Sequence, residues 1–175
     1  MNQLVSNLKK KPDLRGTSQW PHKLRAIQEA GDSFRASINK DKIGSITFVP
    51  IPPSKHRTDP MYDDRMRRVL DRMASHGALD IRELVLQTKS LDAFHEGTRL
   101  PPDELRKHYK IDESQCAVTP TSIFVVDDVL TTGSHYKAIK TVLHARFPQA
   151  AIGGLFVARR VFPDPADAFD VVEDD

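Results

Sequence analysis

The stretch Ile123 to Tyr136, Ile-Phe-Val-Val-Asp-Asp-Val-Leu-Thr-Thr-Gly-Ser-His-Tyr, constrains this chain more than any other. Four consecutive large apolar residues, Ile123 to Val126, suit a strand buried on both faces, as in a parallel sheet covered by helices above and below. Asp127 and Asp128 then fall at its carboxyl end. Thr131, Thr132, Gly133 and Ser134 make a small, hydroxyl-rich turn, and Tyr136, Ile139, Leu143 and Phe147 follow at helical spacing. The order is strand, acid pair, anion cradle, helix. Backbone N–H groups at a helix start, flanked by hydroxyls, bind a phosphate without a lysine, and the helix dipole adds up to about 2 kcal/mol. Gly133 lets the backbone approach the anion closely. The carboxylates would repel that phosphate; they suit neighbouring sugar hydroxyls, or a divalent cation held through water. A ligand carrying phosphate, vicinal hydroxyls and metal is implied.

The same stretch resembles the phosphoribosyl pyrophosphate (PRPP) signature of the type I phosphoribosyltransferases. That pattern is four apolar residues, two acids, two apolar residues and a short Thr/Gly-rich loop, and it fits here position by position except at His135, where the family usually has Thr or Ser. His135 removes one hydroxyl donor to the 5′-phosphate, or replaces it with a partly protonated imidazole. A second segment, Val-Pro-Ile-Pro-Pro-Ser-Lys at Val49 to Lys55, is similar to the pyrophosphate loop of the amidotransferase and ComF-like branches. The resemblance implies an α/β, Rossmann-like fold with a mostly parallel central sheet flanked by helices and a small variable hood. It implies transfer of 5-phosphoribosyl from PRPP to a nitrogenous acceptor, with Mg²⁺ and release of pyrophosphate. Asp127 and Asp128 would orient the ribose and meet the metal through water or ribose hydroxyls. Thr131, Thr132, Gly133, Ser134 and His135 would hold the 5′-phosphate. Pro53, Ser54, Lys55, Arg57, Lys89 and Arg99 would hold pyrophosphate, with Lys55 counted among the catalytic groups. The reading requires both carboxylates to share a concavity with the Thr-Thr-Gly-Ser turn rather than to lie on opposite sides of the sheet.

The rest of the chain suits that frame. At 175 residues and 39% hydrophobic content it is read as one domain with a substantial core, residues 1–21 and 163–175 being hood or tails. The formal charge of +2, from 26 basic and 24 acidic residues, is too balanced to demand nucleic acid. A single cysteine, Cys116, excludes an internal disulfide. No apolar run has membrane length, so no membrane partner is expected and the chain is read as cytoplasmic. Pairing into a homodimer is common in the resembled family.

Residues 1 to 21, with Lys9 to Lys11, read as an irregular basic tail or edge piece, or as the start of the hood. His22 to Asn39 reads as a helix weakened at Gly31 by roughly 1 kcal/mol, and Ser45 to Ile51 as a strand ended by Pro50. Tyr62 to Ala74 reads as a helix with Met66 and Met73 in its core face and with Asp63 and Asp64 as dipole-stabilising acids. Asp80 to Gln87 reads as one strand feeding a long loop, Thr88 to Pro102, that carries Lys89, His95 and Arg99. A helix from Pro102 to about Tyr109 and a last strand from Ala151 to Val161 complete the series, with Phe162 a weak candidate to stack an acceptor ring. The candidate loops all leave carboxyl strand ends, where open α/β sheets bind ligands. A reading of a different class is a non-catalytic PRPP sensor or regulator that touches nucleic acid through Lys9 to Lys11, Arg67, Arg68 and Arg72.

Overall fold

Two helices, α1 (Gln3–Leu8) and α2 (Trp20–Ser37), precede the first strand, β1 (Thr47–Pro50). Then come α3 (Arg65–Ala74), β2 (Asp80–Ile81), β3 (Val85–Gln87), α4 (Pro102–Arg106), β4 (Tyr109–Ile111), β5 (Ser122–Leu130), α5 (Ser134–Arg146) and β6 (Ala151–Arg159). The structure is a computed structural model and describes residues 2–90 and 100–161. Four strands form a parallel sheet in the order β2-β1-β5-β6, while β3 and β4 pair antiparallel as a separate ribbon. The chain is therefore α/β, with a parallel central sheet flanked by helices.

The apolar run of β5 is continuous because both of its faces are covered. Val126 packs with Phe48 of β1 against α2 and α3, where Ile27, Phe34, Val69, Leu70 and Met73 are buried. Ile123 and Val125 face the other way, with Val49, and meet Ile139, Leu143 and Phe147 along α5. The period-2 alternation of a strand thus distributes one run of sequence between two cores. Leu84, Val85 and Tyr109 join the second core, which seats the β3–β4 ribbon beside α5.

Several boundaries correct the sequence reading. The N-terminal segment is helical, with Val5 and Leu8 buried on one face of α1; a stripe this short leaves little periodicity to read. Asp80 to Gln87 is two strands in two sheets. The Arg82 N–H donates to the Phe48 carbonyl at 3.0 Å, but the Glu83 N–H turns to the Gln115 side chain, also at 3.0 Å, and the chain leaves the parallel ladder. Consequently the loop after residue 87 does not leave a carboxyl end of the main sheet. α3 starts at Arg65 rather than Tyr62, and Tyr109 opens β4 rather than closing α4. Asp127 and Asp128 are not the end of their strand, since β5 runs on to Leu130.

Gly31 has a packing reason. A Cβ there would stand 2.7 Å from the Val69 carbonyl oxygen and 2.7 Å from Arg72 Cγ, so its absence lets α2 and α3 approach closely. Alanine in an exposed helix would gain roughly 1 kcal/mol over glycine. Here Gly31→Ala is expected to destabilise by about 1–3 kcal/mol, because the carbonyl cannot move aside. Urea unfolding of the variant beside the parent checks this.

Candidate functional site

Register creates the opening in the sheet. β1 pairs with β5 only as far as Pro50 opposite Val126, and the Ile51 N–H makes a last bond to the Val126 carbonyl at 2.9 Å. Pro52 and Pro53 then turn the chain away; neither has an N–H with which to continue a ladder. β5 continues, paired only with β6 through Leu130 opposite Arg159. Residues 127–130 are left with a bare flank. A cavity of about 430 Å³ occupies it, lined by Pro53 and Ser54 from the turn after β1, by Asp127 and Asp128, and by Thr131, Thr132, Ser134 and His135 from the turn into α5.

Successive strand residues point to opposite faces, and the partners of the two acids differ accordingly. Asp128 is 3% exposed and meets the α1–α3 side. Its Oδ2 accepts from Arg65 Nε at 2.9 Å and lies 2.8 Å from Arg65 Nη2, while Lys9 Nζ stands 3.5 Å from Oδ1. Asp127 makes no ion pair among the described residues; its Oδ1 accepts the Asp128 N–H at 2.8 Å. Burial first, and the Asp128 charge second, push its pKa up to about 7. The acids therefore share a cavity, though not a face, because the strand that would have separated them has ended.

The turn at Thr131 to Ser134 has the geometry of an anion cradle. Gly133 sits at φ 77°, in the left-handed region where a side chain is strained, and it precedes the first residue of α5. A Cβ there would meet only Leu130 Cδ1, at 3.6 Å, so conformation rather than space calls for glycine. Among the described residues no side chain caps the start of α5, where backbone N–H groups and the helix dipole suit an anionic acceptor. Thr132 and Ser134 hydroxyls lie 3.1 Å apart. His135 lies with Nδ1 2.7 Å from the hydroxyl of Tyr109. Burial and then the nearby Asp127 raise the Tyr109 pKa, so its hydroxyl keeps the proton it can donate to the ring. The residue that departs from the family pattern is thus tied to the β3–β4 ribbon.

The remaining candidates separate. Lys55 and Arg57 line a neighbouring cavity of about 330 Å³ on the other side of the Pro52–Pro53 turn, with Tyr62, Glu83 and Lys110. Arg57 Nη2 donates to Glu83 Oε2 at 2.7 Å, and Lys55 Nζ is 3.9 Å from Asp59 Oδ2. Lys89 is exposed and lines neither cavity. Arg99, His95 and Phe162 lie outside the described residues.

Sequence reasoning missed the cations. Asp63 is not chiefly a dipole acid: Arg65 Nη1 and Lys23 Nζ both donate to its Oδ2 at 2.8 Å. Lys23 is 1% exposed, and its other bonds go to the carbonyls of Leu8 at 2.8 Å and Lys10 at 2.6 Å. Burial lowers its pKa, against the pull of Asp63. A signal existed, since Lys23 occupies the same helical stripe as Ile27, Ala30 and Phe34 and interrupts its apolar character. Arg65 gave none, being 63 residues from the carboxylate it serves. The result is a chain of charges, Lys23–Asp63–Arg65–Asp128–Lys9, that joins α1, α2, α3 and β5.

Among the described residues no group of three His, Cys, Asp or Glu side chains is placed to hold a metal ion. One carboxylate with no ion pair beside one held by Arg65 fits an ion bound mainly through water and ligand oxygens, as Mg²⁺ commonly is. It does not fit an all-protein cage. Among the described residues, no helix is long and apolar enough to cross a membrane.

Asp127 carries a pH signature. Between about pH 4 and about pH 7 the folded chain keeps a proton there that the unfolded chain has released, so stability falls as pH rises through that window. Asp127→Asn removes this fall; its stability relative to the parent should improve between about pH 4 and about pH 7 and level off above that, read from paired denaturation curves. Arg65→Met acts oppositely, by leaving Asp128 buried with only Lys9, at 3.5 Å, as a cationic partner. It should cost about 3–5 kcal/mol in the same measurement.

No family model matches the chain, and no curated protein matches it in sequence. Among solved structures it is similar to a hypoxanthine phosphoribosyltransferase from Staphylococcus aureus, at 18% identity with a TM-score of 0.45, over 77% of this chain and 63% of that one. The chain thus spans less than two thirds of that enzyme's length.

Proposed function

We propose that the chain binds PRPP in the cavity beside Asp127 and transfers its 5-phosphoribosyl group to a nitrogenous acceptor, releasing pyrophosphate. The observation that carries this reading is the meeting, in one cavity, of the acid pair, the uncapped start of α5 with its hydroxyls, and the proline turn after β1. Each matches one part of the ligand: ribose hydroxyls, 5′-phosphate and pyrophosphate.

In this scheme the amides and hydroxyls from Thr131 to Ser134 fix the 5′-phosphate, with Gly133 setting the turn. Asp127 accepts from the ribose hydroxyls and is the carboxylate that would meet a metal ion through water; Asp128, held by Arg65, shapes that wall. Mg²⁺, held through water beside Asp127, would supply positive charge to the pyrophosphate oxygens. Pro53 and Ser54 face the pyrophosphoryl group. The acceptor nitrogen bonds to C1 as the C1–O bond breaks; that electron pair leaves with pyrophosphate and the acceptor releases its proton. Positioning and leaving-group stabilisation account for the catalysis, so no protein nucleophile is required.

One observation favours a second reading, a PRPP-binding regulator without turnover: Asp128 is already occupied by Arg65 and Lys9, which leaves a single acid for the ribose. A nucleic-acid role gains nothing from Arg67 and Arg72, which pair with Asp71 and Asp32. The enzyme reading predicts pyrophosphate release from PRPP with at least one member of a panel of purine, pyrimidine and amine acceptors. Asp127→Asn with Asp128→Asn should lower that release at least about a hundredfold while the circular dichroism spectrum stays unchanged. Undiminished release in the double variant refutes the site. Calorimetric PRPP binding with no release across the panel selects the regulator.

A further inference from the structure

We propose that Lys9 contacts the pyrophosphoryl group of the ligand, an assignment that rests on reading the cavity as a PRPP site. Among the described residues, the charged side chains of its lining are Lys9, Arg65, Asp63, Asp127 and Asp128. A ligand carrying both a phosphate and a pyrophosphate brings several negative charges against that wall, and a protein cation beside the metal ion helps to offset them. Arg65 is committed, with bonds of 2.8 to 2.9 Å to Asp63 and Asp128. Lys9 is held more loosely: its ammonium lies 3.5 Å from a carboxylate that Arg65 already serves, and its side chain is 43% exposed.

The backbone beneath it is fixed. Lys23 Nζ grips the carbonyls of Leu8 and Lys10, the residues on either side of Lys9, and anchors them to Asp63. Three acceptors satisfy the three donors of that buried ammonium. Lys9 is therefore a loosely paired cation on an anchored stretch of backbone, and rotation about its own side-chain bonds is enough to turn it from Asp128 to a ligand. The amides and hydroxyls from Thr131 to Ser134 provide for the 5′-phosphate. Lys9 stands instead with Asp128 and Arg65, and the pyrophosphoryl group is the anion left for it.

Calorimetry in magnesium chloride, with PRPP, inorganic pyrophosphate and ribose 5-phosphate as separate titrants, tests this on the full chain. Lys9→Gln should bind PRPP and pyrophosphate about ten- to a hundredfold more weakly, with ribose 5-phosphate unaffected. Lys9→Arg should keep most of the affinity, and both variants should melt with the parent. Equal affinities for PRPP and pyrophosphate in Lys9→Gln and the parent overturn the assignment, as does an equal loss for ribose 5-phosphate. A parent that binds pyrophosphate but not PRPP sinks the proposed function, while the Lys9→Gln comparison with pyrophosphate still decides the role of Lys9. A parent that binds neither overturns both.

Discussion

The unequal lengths of β1 and β5 are the constraint on which the site depends. Where the two strands run together, β5 is sealed on both faces and both edges, and its side chains have only packing to do. Past Pro50 that ends on one edge. Polar residues are tolerated there because the neighbouring strand has left, and a cavity exists there for the same reason. A longer β1 would have buried the acid pair in the sheet; two prolines after Ile51 prevent it.

Two carboxylates on adjacent residues at this edge pose an electrostatic problem, and the fold solves it differently for each. Asp128 is neutralised by cations from other elements, Arg65 above all. Asp127 has no such partner among the described residues, and its affinity for a proton rises instead. The first solution makes Asp128 part of the scaffold, tied through Asp63 and Lys23 to the N-terminal helix. The second leaves Asp127 as the group whose state a sugar hydroxyl or a hydrated cation can change. The asymmetry follows from strand alternation, which turns one side chain toward α3 and the other toward the ribbon that carries Tyr109.

How much of this was legible depended on the distance over which each interaction acts. The buried strand, the acid pair, the turn at Gly133 and the following helix are consecutive, and local patterning sufficed to place them in order. The end of β1 was readable too, since proline removes a ladder donor wherever it stands. The short helix α1 escaped because six residues hold too little periodicity. The split of residues 80 to 87 escaped because all of them suit extended structure, and only the partners available to Leu84 and Glu83 decide which sheet each half joins. Lys55 and Arg57 follow directly on the candidate turn, yet they line the cavity on its far side, since sequence adjacency does not say which side of a turn a long side chain will take.

The sequence by itself determined the two-faced strand, the twin acids that follow its apolar run and the hydroxyl-rich turn into a helix, because each rests on backbone chemistry and on residues a few positions apart. Tertiary structure alone decided which carboxylate is paired, which cation reaches the cavity and what fixes the N-terminal segment beside it. Those outcomes turn on Arg65, Lys9 and Lys23 meeting partners 13 to 119 positions away. Contacts at such separation are set by the register of the sheet and the packing of α2 on α3, which no local pattern encodes.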